Sequence, residues 1–462
     1  MNTLYKLQLL FYLGIVGTLI TGCEEYVAID SSNSSIVSED IFESATLTEA
    51  AIDGIYQQLA NLNSFAGGSQ SSVTVLAGLA ADELVASPYS PTLGQFRDNE
   101  ILTSNGMNYT LWSSLYSIIY ATNAALEGLE NTTVVNETLA LQYQGELQVI
   151  RTFCYFYLVH LYGDIPLILS TDYTENALAT RTDSALVVAQ METDLLEAIG
   201  CLEETYRTDT RQYCNKSVAY ALLARVYLYT EQWDKAALFA SAVISNNSTY
   251  ALEEELDQVF LKNSTEVVWH LEPNYGYTNE GNLFILSESP ISSYINPVYL
   301  DETLFGIFDV EDKRQSNWFG AFESDAATFY YPYKYKVQIT TGEATEYSVV
   351  LRLAELYLIR AEANYHTGDR TSALEDLNTL RLRAGLPIAT ESGAAILTAI
   401  KTARRKELFT EWGHRWMDLN RWQEADEVLG SFKENWQSSD SLFPIPEQEI
   451  LSNPNLIPNE GY

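Results

Sequence analysis

Apolar residues return every three or four positions along most of this chain, a spacing that predicts a mainly helical protein. Leu47, Ala50, Ala51, Ile55, Leu59 and Leu62 open the pattern over residues 46–62. Residues 73–84 continue it as a short helix, 109–129 and 139–162 as longer ones, and 185–202 as an amphipathic one. Gly163 closes the long run and Pro166 follows, a combination that stops helices. Residues 86–104 break the spacing. Pro88, Pro91 and Gly94 punctuate them, so Tyr89 and Phe96 are expected on a loop.

Residues 216–244 read as helix, tight turn, helix. Leu223, Ala224, Tyr227, Trp233 and Ala236 fall where a tetratricopeptide (TPR) unit places its packing residues. Residues 351–380 repeat the arrangement with Tyr357, Ala361, Gly368, Ala373, Leu377 and Leu380. The key alanines, Ala224 with Ala236 and Ala361 with Ala373, let paired helices approach closely, and stacked pairs build a solenoid. Between the two units, residues 250–347 lose helical order. EVVWHL over 266–271 reads as a strand, with Trp269 turned to the core. Tyr275, Tyr277, Phe284, Tyr294, Tyr299, Trp318, Phe319, Tyr330, Tyr331 and Tyr333 follow, interleaved with Gly, Pro, Ser and Asn. An irregular stretch of this length is functional or a separate lobe. The expected architecture is mainly α: a TPR-like helical-pair superhelix with an irregular loop-rich lobe carrying a little β.

The stretch over residues 403–422, ARRKELFTEWGHRWMDLNRW, read as one helix, carries two adjacent stripes. Leu408, Trp412, Trp416 and Leu419 form an apolar one; Arg404, Glu407, Glu411, Arg415 and Asp418 form one of mixed charge. A half-buried helix stapled by ion pairs and a catalytic carboxylate pair both fit. The first is preferred, because such networks are common and structural. The charged face is therefore expected to be largely buried, and Gly413 to mark close approach of a neighbouring backbone.

Composition matters where the periodicity stops. Residues 1–22 hold one charged side chain, Lys6, and an apolar run over 7–20 that suits a signal peptide and is short for a membrane span. The run ends Leu19-Ile20-Thr21-Gly22-Cys23, which is similar to a bacterial lipobox; an ordinary signal peptide followed by a chance cysteine is the alternative. Lipidated Cys23 would hold the protein on a membrane. Glu24 and Glu25 resemble the surface-export signal of some outer-membrane lipoproteins. The organisation read from this is a leader over 1–22, a lipidated N-terminus and Ser-rich tether over 23–45, and one body over 46–462.

The chain has 26 basic against 62 acidic residues, a net charge of −36, and that field repels nucleic acid and anionic head groups. Among so many carboxylates no glycosidase-like pair stands out. His160, His270, His366 and His414 form neither H-E-x-x-H nor a close cluster, so no zinc site is expected; His160 and His366 are read as helix-face residues. There is no Gly-x-Ser-x-Gly, P-loop or dinucleotide fingerprint. Asp309, Glu311 and Asp312 could hold calcium or form a solvated acidic turn. Cys154 is read as core, while Cys201 and Cys214 could pair across a turn. The reading is a protein without catalytic activity or cofactor.

Together, the lipobox, the TPR-like helices and the C-terminal third resemble the SusD/RagB family of outer-membrane nutrient-binding lipoproteins. Arg404, Arg405, Glu407, Leu408, Glu411, Gly413, Arg415, Asp418, Leu419, Arg421 and Trp422 match its R-R-x-E-L…E-x-G-x-R…D-L-x-R-W pattern. Pro444, Ile445, Pro446, Glu449, Asn453, Pro454, Asn459, Gly461 and Tyr462 match its closing pattern; Pro458 and Glu460 depart from it. Trp112, Tyr116, Ile119, Asn123 and Ala124, then Arg151, Tyr157, Gly163, Asp164 and Pro166, match two earlier blocks. So do Asp312 and Arg314, and residues 353–363.

The resemblance implies a cell-surface lipoprotein of the outer membrane. Such a protein binds oligosaccharide and delivers it to a SusC-like TonB-dependent transporter, contacted by the TPR-like side. A peptide-binding member of the family and a repeat scaffold without a small ligand are the alternatives. Sugars stack their C–H faces on aromatic rings and hydrogen-bond to amides. Local chemistry on the loop after the second helix suggests Tyr89, Phe96 and Asn99, beside Arg97 and Asp98. The irregular lobe adds Tyr275, Tyr277, Tyr294, Trp318 and Tyr330. Trp318 is the strongest single expectation, on a polar loop with no periodicity to bury it.

Overall fold

Side-chain caps set half of the α-helix starts among the described residues. In the computed structural model, which describes residues 41–292, 295–325 and 327–462, Asn105 accepts from Met107 N and Asn108 N, Asn136 from Leu139 N, Asp183 from Ala185 N and Asn215 from Val218 N. Each cap satisfies a backbone donor that the first helical turn leaves open. The elements run α1 (Ala45–Leu59), α2 (Val73–Ala80), β1 (Leu84–Ala86), α3 (Pro91–Asp98), α4 (Gly106–Asn131), α5 (Glu137–Tyr162), α6 (Tyr173–Asn176), α7 (Ser184–Cys201), α8 (Lys216–Tyr229) and α9 (Trp233–Ile244). The irregular lobe follows: β2 (Val267–Leu271), α10 (Asn279–Phe284), β3 (Val298–Leu300), α11 (Glu302–Gly306), α12 (Lys313–Trp318), β4 (Phe319–Glu323) and β5 (Thr328–Pro332). The chain closes with β6 (Ser348–Arg352), α13 (Leu353–Thr367), α14 (Arg370–Arg383), α15 (Ala395–Leu408), α16 (His414–Arg421), α17 (Ala425–Leu429), a 3-10 turn and α18 (Glu447–Ser452).

Both repeat units form as the spacing predicts. Ala224, Ala236, Ala361 and Ala373 are all fully buried, so α8 closes on α9 and α13 on α14. The units also pack on each other through α9 and α13, where Trp233 stacks on His366 at 4.0 Å. Gly368, at φ +94, makes the turn of the second unit in a conformation that side chains resist. Ahead of these units, α4 packs on α5, α5 on α7 and α7 on α8, which extends the succession of paired helices. The lobe's strands form three antiparallel pairs, β1 with β3, β2 with β6 and β4 with β5. Trp269 of β2 is wholly buried, as read.

Two segments differ from the sequence reading. Residues 86–104 contain a helix, α3, because Pro91 at its first position supplies the φ a helix needs and has no N–H to leave unsatisfied. Residues 403–422 form two helices rather than one. Thr410, Trp412 and Gly413 have φ of +51, +52 and +69, and the chain turns between α15 and α16. Such strain costs about 1–3 kcal/mol for each non-glycine residue. It is offset by partners from elsewhere: Glu83 accepts from Thr410 N at 3.0 Å, and Thr74 from Trp412 N at 3.1 Å. A Cβ on Gly413 would lie 2.6 Å from the Ala77 Cβ, so α2 does approach closely here.

The charged face is buried, as read. Arg352 donates to Glu266 (2.9 Å), Glu407 (2.7 Å) and Glu411 (2.8 and 2.9 Å). Arg383 adds a bond to Glu266, Arg314 one to Glu407, and Lys334 bonds Glu411 and two backbone carbonyls. Burial alone would raise the Glu407 pKa, but Arg383, Arg352 and Arg314 override it and hold the carboxyl well below the usual range. Arg404 pairs with Asp418, and Arg421 with Glu362 and Asp418. The acidic turn joins this system at Asp312, which Arg314 holds at 2.8 Å. No group of residues that could hold a metal is present among the described residues. Cys154, Cys201 and Cys214 are free thiols, so the pairing considered for the last two does not form.

Candidate functional site

The link between α1 and α2, NLNSFAGGSQSS over residues 61–72, is polar and short of apolar anchors except Phe65. Phe65 is fully buried against Phe153 (5.5 Å) and Tyr157 (5.6 Å), and its N–H donates to Ser114 Oγ at 2.9 Å. Pinned there, the link leaves Leu62, Asn63 and Gln70 at the surface as one wall of a cleft of about 650 Å³. The start of α4 (Gly106, Met107, Thr110) and Thr92 of α3 form a second wall, and Asn279, Asn282 and Leu283 of α10 a third, with Ile295 at the edge. Thr278 caps α10 by accepting from Gly281 N, which fixes both asparagines on the helix.

No Asp, Glu, Lys or Arg lines this cleft, in a chain with 62 acidic residues. Two of its hydroxyls are used internally, Ser69 Oγ donating to Leu62 O and Thr110 Oγ1 to Gly106 O. Among the described residues, no bond occupies the side-chain groups of Asn63, Gln70, Thr92 or Asn282. Asn279 donates to Gly67 O at 2.6 Å, which leaves its Oδ1 open. The loop before α10 is tied down on both sides, by Asn279 and by Asn274, which donates to Ala60 O at 3.3 Å. Between these ties stand Tyr275, 60 % exposed, and Tyr277, stacked with centroids 5.7 Å apart and planes 14° apart.

A second cleft of about 560 Å³ is instead rich in charge, including Asp82, Arg97, Asp98, Asp301 and Lys433. Its groups serve one another: Arg97 pairs with Asp98, and Lys433 donates to Asn99 and to the last carbonyls of α2. Burial pulls the Lys433 pKa down to about 7, with Asp82 and Asp98 acting against that shift.

The structure scatters the side chains chosen from sequence. Tyr275 and Tyr277 stand together and present rings to solvent. Tyr89 is half exposed in the turn before α3. Tyr330 lies half-buried on β5, stacked on Phe305 at 3.9 Å. Tyr294 falls outside the described residues. Three choices face inward and offer a ligand nothing. Phe96 packs edge-on against Phe443, because α3 turns its apolar face to the C-terminal tail. Asn99 ends α3 in the left-handed conformation and accepts from Lys433. Trp318 is fully buried, its indole N–H on Leu256 O at 3.0 Å and its ring under Lys334 Nζ at 4.7 Å. Asn63, Gln70, Asn279 and Asn282 were not among the sequence choices. The available signal for Asn63 and Gln70 is the polar, glycine-bearing run between two apolar helices.

This geometry has counterparts among known proteins. The family model described as SusD family matches residues 315–462, and the one described as "Starch-binding associating with outer membrane" matches residues 30–228. SusD-like protein P2 of Formosa agariphila is 27 % identical over 487 aligned positions, covering 92 % of this chain and 94 % of its own. The starch-binding protein SusD of Bacteroides thetaiotaomicron is 32 % identical over 128 positions, covering 24 % of this chain and 21 % of its own. A SusD superfamily structure from Bacteroides vulgatus superposes with a TM-score of 0.80 at 20 % identity, over 91 % of this chain and all of that one. A laminarin-binding SusD-like protein superposes with 0.79 at 24 % identity and the same coverage. With SusD models matching residues 30–228 and 315–462, and a SusD-like relative aligned over 92 % of it, this chain belongs to the SusD/RagB family.

Proposed function

We propose that this protein binds a neutral oligosaccharide in the uncharged cleft between residues 62–71, the start of α4 and α10. The observation that carries the reading is the lining: open amides and the Thr92 hydroxyl, with no ionisable side chain among the described residues; a stacked tyrosine pair stands on the loop that leads into α10. A sugar presents hydroxyls to the first and C–H faces to the second. A net charge of −36 adds long-range repulsion of acidic glycans, which favours neutral ones. The starch and laminarin named for two relatives point the same way. No catalytic step is assigned to the cleft, because among the described residues no acid or base stands there to activate its hydroxyls.

The test is calorimetry against a panel of neutral oligosaccharides, starch- and laminarin-type glucans among them. One of them binds the parent, and Asn282→Ala weakens it by about tenfold, the value of a hydrogen bond left unmade in a desolvated site. A parent that binds none of the panel, or a variant with parental affinity, would sink the reading.

For the wider role, we propose an outer-membrane protein held by lipid on Cys23, which lies outside the described residues, and handing ligand to a TonB-dependent barrel. Its supports are the lipobox-like sequence and the outer-membrane association in one family description. Cys23→Ala is expected to leave the membrane fraction, and the parent to co-purify with a barrel. Retention of the variant in membranes, or a parent without a barrel, would count against it.

A further inference from the structure

Asn279 and Glu280 are successive residues of α10, and both reach the 62–71 wall of the cleft. Asn279 bonds the carbonyl of Gly67. Glu280 lies against the next residue: Gly68 has φ +67, and a Cβ built there would fall 2.3 Å from the Glu280 Cδ. The carboxyl thus occupies the space that any side chain at position 68 would need, and the wall rests on it. Glu280 is only 6 % exposed. Its Oε1 accepts from the Ser348 hydroxyl, on the strand that runs to Arg352 in the ionic core.

Glu266, Glu407 and Glu411 around Arg352 each have a cation, and so does Asp418. Glu280 has none among the described residues. Ser348 and Glu346 face it from β6 and the segment leading into that strand, and Tyr335 faces it from the segment after β5. The 62–71 wall contributes no ionisable group. Lys334 is committed to Glu411, and Lys336 to the carbonyls of Asn317 and Tyr333. Burial pushes the Glu280 pKa up; Ser348 opposes the shift and the Glu346 charge adds to it.

We propose that Glu280 is a positioning residue for the cleft: its carboxyl, anchored on Ser348 and filling the space beneath Gly68, sets where the 62–71 wall stands. The proposal rests on the reading of this cleft as the ligand site. Its pH consequence follows from the upward shift. The folded protein holds this proton more tightly than the unfolded chain, so the contribution is complete below the ordinary carboxylate pKa and is lost as pH rises through the folded value. An ionised Glu280 has no cation to receive it and repels Glu346, and the wall loosens.

The experiment is amide hydrogen exchange on ligand-free full-length protein. It follows the Ser64, Gly67 and Ser72 amides, which donate within the wall, after correction for intrinsic pH dependence. In the parent these amides lose about tenfold of their protection between acidic and alkaline pH, while amides of α5 do not. Glu280→Gln keeps the shape without the charge, so it holds protection across the range. Glu280→Ala loses it at every pH. Parental protection in Glu280→Ala, or the same pH profile in the parent and Glu280→Gln, would overturn the proposal. Glycan titration separates the two claims. Loosening of the wall in a protein that binds no neutral glycan would uphold Glu280 as the support of the wall and remove the ligand reading. Binding with an unaffected wall would do the reverse.

Discussion

Around Arg352, one guanidinium donates to three carboxylates at 2.7 to 2.9 Å, and all of these groups are buried. In the cleft beside Asn282 the polar groups are amides and hydroxyls, ionised groups are absent from the lining, and several side chains have open valences. The contrast follows from desolvation. A charge taken out of water is costly unless a partner waits for it. The core supplies those partners within the chain, so ions are tolerated and fix the turn between α15 and α16. If the cleft takes a sugar as proposed, it must shed its water for each one and cannot repay an ion's hydration. Neutral hydrogen-bonding groups lose little on exchange, because the sugar's hydroxyls replace the water they release.

The strongest way to break this contrast is Glu407→Ala. It strips Arg352, Arg383 and Arg314 of a shared carboxylate, and losing one partner of a buried ion pair costs about 3–5 kcal/mol. Denaturant unfolding should show a large drop in midpoint, whereas Asn282→Ala should stay within about 0.5 kcal/mol of the parent. Equal midpoints for Glu407→Ala and the parent would mean that the network contributes nothing.

Trp318→Ala sharpens the contrast from the aromatic side. The ring is enclosed by Phe260, Phe409 and Lys334, so its loss should cost about 3–5 kcal/mol of stability through the cavity it leaves. Glycan affinity of the folded fraction should remain parental. A variant of parental stability that binds glycan weakly would return Trp318 to the site.

Acid should act on the core next. Burial alone would raise the Glu362 pKa, but Arg421 and Arg404 override it and hold it at about 2. A depressed carboxylate contributes fully above its ordinary pKa and loses that contribution as pH falls through the folded value. The amount is about 3 kcal/mol between pH 4.5 and 2. His160 and His270, pulled by burial to about 4 and about 3, push in the same direction below pH 6.5, since the unfolded chain takes up their protons first. Between pH 6.5 and 4.5 the histidines are opposed by Glu83 and Glu146, which burial raises to about 7, so stability by denaturant titration should fall steeply only below about pH 4.5; a flat profile from there to about pH 2 would contradict these assignments.

The smallest effect belongs to Tyr275→Ala. The ring is exposed and stacks only on Tyr277, so stability should hardly change. Glycan binding should lose about 1 kcal/mol, roughly tenfold or slightly less. Unchanged calorimetric affinity would remove the tyrosine pair from the ligand site.

Helix positions, the two repeat units and the buried charge of Arg404 to Asp418 were legible in the sequence alone. They depend on local matters: a spacing of 3.6 residues, caps such as Asn105 and Asn215, and alanines that fit only between close helices. The family pattern was legible for the same reason, since its motifs are contiguous. What only the tertiary structure decided is which aromatic ring meets water. Trp318 has no periodicity to bury it, yet a carbonyl from Leu256 and an ammonium from Lys334 close over it. The turn that ends α15 depends on Glu83 and Thr74, more than 300 positions away. The cleft itself joins residues 62–71, 92, 106–110, 279–283 and 295, and it emerges only when those distant segments are packed, because burial is set by neighbours in space rather than neighbours in the chain.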